Sequence, residues 1–189
     1  KEMILGFIAL SIIILLCTFV IYKVLKEKSL SNAEKRQTFS ILVFWVILWS
    51  LSILVTDLFS QNHTVALWAS RFSFVTSALI GYWYYLFVRT YYGGKHALLG
   101  KIFWGIISFV FVILSITDGI VKDVVYSENH LQSIRGEFNI YFVIYTGIIF
   151  CYSAILFFAA YKREQNLVTK AQIFYIFLGS MLSILSSFS

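Results

Sequence analysis

Six stretches of this chain run for 16 to 24 residues without a charged side chain, and no other feature of the sequence constrains its fold so tightly. An α-helix rises about 1.5 Å per residue, so about 20 apolar residues cross the ~30 Å hydrocarbon core of a bilayer, within a range of roughly 17–25. Met3 to Tyr22 supplies 20 such residues, Thr38 to Thr56 19, Phe72 to Val88 17, Phe138 to Tyr161 24 and Ala171 to Ser189 19. Ile102 to Thr117 is short at 16, and crosses only if Lys101 snorkels and Asp118 sits at the opposite surface. Hydrophobic residues make up 60% of the chain and charged ones 13%. Soluble domains run to about 45–50% and about 25%, so a soluble core of this size has nowhere to hide the apolar surface and the solvent must be lipid. The expected fold is all-α: one polytopic transmembrane bundle over residues 1–189, with spans near 3–22, 38–58, 66–90, 102–117, 138–161 and 171–189. The last run stops without a polar terminator, as a truncated sequence would.

The first run is too long for the apolar part of a secretory signal, about 7–15 residues, and no small-x-small site follows it. Lys23-Val-Leu-Lys26-Glu-Lys28 follows instead, which makes the run an uncleaved anchor. Orientation follows from Lys and Arg, which gather on the cytoplasmic side of membrane proteins. Placing the N-terminus outside puts 11 of the 15 basic residues inside and leaves Lys1, Arg71, Lys122 and Arg135 outside. The expectation is a multi-pass protein of the cell membrane with a non-cytoplasmic N-terminus. Its net charge of +6 becomes a basic rim facing anionic headgroups, so the lipid bilayer is the partner and nucleic acid is not.

One connection is long, Asp118 to Glu137 on the expected outer side. Val121–Tyr126 and His130–Arg135 flank the turn-type cluster Ser127-Glu128-Asn129. A short β-hairpin and an irregular loop both fit, because neither flank alternates cleanly. The chain contains no proline and no visible internal repeat. Transporters often break helices at proline or glycine to expose backbone, so an unkinked sensor or anchor bundle gains slightly over a permease.

Charges near spans are costly and mark partners or cavities. Asp57 and Arg71 each lie seven residues from Thr64, at similar depth in a two-helix hairpin, where an ion pair would satisfy both. Either they form a structural clasp, or they line a polar ligand site near the outer surface with Asp118 and Glu137 of the long loop. Gly179 and Ser183 stand in small-xxx-small spacing for close helix contact. The aromatic clusters, Tyr82 to Tyr85 with Tyr91 and Tyr92, and Trp45 with Trp49, are accounted for by interface anchoring and packing. Cys17 and Cys151 lie in apolar runs and behave as small hydrophobes. His63, His96 and His130 are far apart in loops, and neither a metal-ligand spacing nor a catalytic motif is present. No metal, cofactor or catalytic residue is expected in this chain.

Thr38 to Trp49, with its two tryptophans, is similar to the second helix of the N-terminal seven-helix membrane region of bacterial sensor histidine kinases. Thr117 before the long loop, Gly136-Glu-Phe-Asn-Ile-Tyr141 after it, and Lys170-Ala-Gln172 followed by Gly179 resemble further landmarks of that family. The resemblance implies an input domain that senses a small-molecule, peptide or lipid signal. It also implies a homodimer in the full-length form, and relay to a histidine kinase or other output module of a two-component system. A seventh helix and the cytoplasmic modules have no counterpart in these 189 residues, so no phosphorylation or ATP-binding residue is carried over. The expected signal contacts lie at the outer ends of the second to fifth spans. A transporter or permease fragment and a structural membrane-assembly subunit are the alternatives.

Overall fold

The computed structural model describes residues 33–92, 97–127 and 130–167, together with positions 15, 18, 22, 169–171, 173, 174 and 177. The element order is α1 Ala33–Leu58, α2 His63–Tyr92, α3 Ala97–Ile116, β1 Val121–Ser127, β2 His130–Arg135 and α4 Asn139–Arg163. The four helices overlie the second to fifth uncharged runs, and all are long and apolar enough to cross a membrane. The first and sixth runs, with Gly179 and Ser183, lie outside the described residues apart from isolated positions.

The helices are longer than the uncharged runs because a helix need not end where the hydrocarbon does. Their 26, 30, 20 and 25 residues correspond to about 39, 45, 30 and 38 Å. In α2, Arg71 and Arg89 are 18 residues apart, or about 27 Å, which brackets the ~30 Å hydrocarbon core between two arginines.

Burial follows the helical period, with apolar residues on the buried and the exposed face alike. On α4 the buried stripe is Phe142, Tyr145, Ile149, Ser153, Leu156 and Ala160, while Ile144, Ile148, Ile155 and Phe158 on the other face are exposed. On α3, Ser108, Phe111 and Ser115 face inward and Ile102, Ile106, Phe109 and Ile113 outward. Two apolar faces per helix require lipid around the bundle. The inward hydroxyls are satisfied by their own helices: Ser108 donates to the Trp104 carbonyl, Ser115 to Phe111 and Ser153 to Ile149, at 2.6–2.7 Å.

Helix α2 is the hub, packing against α1, α3, α4 and β1. Small residues Ala66, Ala69, Ser70, Ala78 and Gly81 let neighbours approach it closely. A Cβ at Gly81 would lie 3.1 Å from the Ile149 side chain of α4. One buried polar joint ties three helices: the Tyr145 hydroxyl of α4 donates to the Ala78 carbonyl of α2 (3.1 Å) and lies 2.6 Å from the Ser108 hydroxyl of α3. Phe111 stacks on the Tyr145 ring at 4.7 Å, which completes the wall around that joint.

Candidate functional site

Between α3 and α4 the long connection folds as an antiparallel hairpin, the first of the two conformations that the sequence allows. Val121 pairs with Arg135 and Asp123 with Ile134, so Lys122 is an extra residue, a bulge. Strand side chains alternate with period two, and the extra residue resets that period. As a result Val121 and Val124, three positions apart, both turn inward at 1% and 3% exposure and join Ile120 in the core. The hairpin therefore caps the bundle with its apolar face. At its base Gly136 donates to the Ile120 carbonyl (2.8 Å), and a Cβ there would collide with the carbonyl oxygens of Asp118 and Gly119.

Arg71 holds this cap. It sits eight residues, about 12 Å, inside the start of α2 and its side chain is 10% exposed. A guanidinium at that depth must be paired, and all three nitrogens of its planar fork donate. Nε donates to the Val121 carbonyl (3.2 Å), one terminal nitrogen to the Ile116 carbonyl at the end of α3 (3.4 Å), and the other to Lys122 in the bulge (3.3 Å) and to the Asp118 carboxylate. The bulge frees a ladder carbonyl and the helix end frees another; one cation from α2 satisfies both. Its outer face lies against the Trp68 ring, 5.5 Å from the centroid.

Two further contacts fix the same edge. His63 Nε2 lies 2.6 Å from Asp123 Oδ1, and the hydroxyls of Ser70 and Ser133 are 3.2 Å apart. His63, Ser70 and Arg71 share one face of α2, seven and eight residues apart, or two turns. Asp123 Oδ1 also accepts the Val124 amide at 2.8 Å. That backbone hydrogen bond first, and the His63 contact second, hold the Asp123 carboxyl below its ordinary value.

The expected Asp57–Arg71 pair does not form. Arg71 spends its donors on the hairpin and the end of α3, with Asp118 as its carboxylate, while Asp57 is exposed near the end of α1. Equal distance from the turn fixes depth but not azimuth, and Arg71 points toward the α3 side. Glu137 is also exposed, just before α4, outside this contact set. Of the four candidates, the structure brings together Arg71 and Asp118. The residues that sequence reasoning missed are His63, Trp68, Ser70, Asp123 and Ser133. The period-seven placement of His63, Ser70 and Arg71 was visible, but their partners, some 45 to 63 residues away, were not.

Beside the clamp, α1 and α2 leave an apolar groove of about 430 Å³, lined among others by Leu48, Leu51, Val55, Val65, Trp68 and Phe72. Trp68 is shared between the groove and the Arg71 clamp. Among the described residues, no three His, Cys, Asp or Glu side chains converge to hold a metal ion.

In comparison with known proteins, residues 6–189 match a family model described as the N-terminal 7TM region of histidine kinase. No curated protein and no solved structure matches the chain.

Proposed function

The chain belongs to the family of N-terminal 7TM regions of histidine kinases, the sensor input domains of those enzymes, and we propose that its hairpin cap passes a signal through α2 to the kinase. The observation that carries this reading is Arg71. One buried side chain of the hub helix grips the hairpin bulge, the end of α3 and Asp118 together. A ligand that prefers one placement of the hairpin then prefers one placement of α2, and differential affinity of that kind is what shifts a conformational equilibrium. Because α2 packs on the other three described helices, a shift of α2 repacks the bundle.

The groove beside Trp68 gives a lipid or other apolar signal access to the clamp from the bilayer, and the exposed hairpin gives access to a soluble small molecule or peptide. In our reading the hairpin end is non-cytoplasmic. The opposite end, with Lys35, Arg36, Arg89, Lys101, Lys162 and Arg163, is cytoplasmic, as the distribution of basic residues favours. There it joins the output module of a homodimeric kinase. A permease reading has less support, because the buried hydroxyls at mid-bundle are engaged with backbone or with each other.

Asp118→Asn in the full-length protein, reconstituted in vesicles, tests the reading. Asp118 is 77% exposed, so its pairing is worth roughly 0.5–1 kcal/mol after solvent screening, and autophosphorylation should shift about twofold to fivefold with insertion unchanged. An unchanged output, or a larger response to Asp57→Asn, would remove the clamp from the signalling route.

A further inference from the structure

At the end of the bundle opposite the hairpin, two arginines converge on one ring. Arg89 lies in the last turn of α2 and Arg163 ends α4. Their guanidinium carbons lie 5.8 and 4.7 Å from the centroid of Tyr92. Four other described cations at this end take separate partners: Lys35 lies over Tyr91, Lys162 over Phe158 and Lys170 over Tyr161, and Lys101 meets Glu34 at 3.4 Å. Among the described residues no carboxylate lies within ion-pair distance of Arg89 or Arg163, and Glu164, next in the chain, accepts the Asn166 amide instead. Arg89 Nε is buried and has no hydrogen-bond partner among the described residues.

Each arginine by itself suits a helix C-terminus, where the carbonyls favour a cation. Two on one ring repel each other, and the ring's quadrupole offsets only part of that repulsion. The missing component is an anion able to accept from two planar forks, which is the chemistry of a phosphate oxygen set. We propose that Arg89 and Arg163, gathered on Tyr92, form a site for a phosphate group, presented as the headgroup of an anionic phospholipid. Depth selects the lipid over free phosphate: Arg89 stands about 27 Å along α2 from Arg71, at the opposite boundary of the hydrocarbon core.

Native mass spectrometry of the full-length protein, titrated with phosphatidylglycerol, phosphatidylcholine or inorganic phosphate, tests the site. Wild type should retain one phosphatidylglycerol with about tenfold preference over phosphatidylcholine. The double variant Arg89→Gln and Arg163→Gln should bring that preference to within about twofold, while Lys162→Gln leaves it intact. If the double variant does not fold, Arg89→Lys with Arg163→Lys keeps the charges, removes the forks, and should lower the preference about threefold. Equal retention of the two lipids, an equal loss in Lys162→Gln, or an unchanged preference in the lysine pair overturns the site. Displacement of the lipid by millimolar inorganic phosphate overturns the lipid assignment in favour of a soluble phosphate ligand.

Discussion

Asp123 accepts two hydrogen bonds on a single oxygen, from the Val124 amide and from His63, and both favour its ionised form. A carboxyl held below its ordinary value stabilises the docked hairpin above the ordinary carboxylate range, near pH 3.9, and loses that contribution as pH falls through the lowered value. The Val124 amide proton reports this directly. Its NMR shift should titrate with a midpoint below about 3.9. Asp123→Asn should abolish the titration, and His63→Ala should raise the midpoint; a midpoint at or above the ordinary value contradicts the contact. Arg71 shows why single residues are hard to pair from sequence. Its cost in lipid was legible, and so was the need for a partner, but Asp57 and Asp118 are both at a plausible depth. Choosing between them takes the direction in which Arg71 leaves α2, which depends on how three helices are arranged around it.

The hairpin is the element where local pattern and structure diverge most instructively. Its two flanks were legible from composition, yet the alternation was broken, leaving an irregular loop nearly as open. The bulge at Lys122 is the reason: one extra residue moves the inward position that follows Val121 from Asp123 to Val124. Gly136 then closes the base by backbone contact. Gly136→Ala should pry the base open, because any Cβ meets the carbonyls of Asp118 and Gly119, at a cost of about 2 kcal/mol or a roughly 30-fold rise in hairpin opening. Among the described residues nothing lies within 4 Å of a Cβ at Gly147 on α4, so Gly147→Ala should be neutral or stabilising by up to ~1 kcal/mol. Amide exchange across β1 and thermal unfolding in detergent separate the two; equal effects would show that the hairpin base is not tightly packed.

For the molecule as a whole, the four described spans were the most legible feature, because lipid imposes length and apolarity on every crossing segment regardless of its partners. Which helix is central was not legible. Helix α2 is the least hydropathic of the four, and the half of its buried face nearer the hairpin is small and polar, Ala66, Ser70, Arg71, Thr76 and Ala78, while the other half buries Tyr84, Tyr85, Phe87 and Val88. In lipid, small residues on an inward face let neighbouring helices pack closely, and along that half the hub is recognised by what it lacks. This arrangement makes α2 the part that cannot move alone. The central claim is that hairpin docking on α2 sets the output, and Ser70 and Ser133, with hydroxyls 3.2 Å apart, offer the means to fix it. The measurement is autophosphorylation of the full-length protein carrying Ser70→Cys and Ser133→Cys, with Cys17 and Cys151 replaced by serine, under oxidation and after reduction. The account predicts one fixed level of output while the disulfide holds, with responsiveness restored by reductant. Identical responses in the oxidised and reduced protein would contradict it.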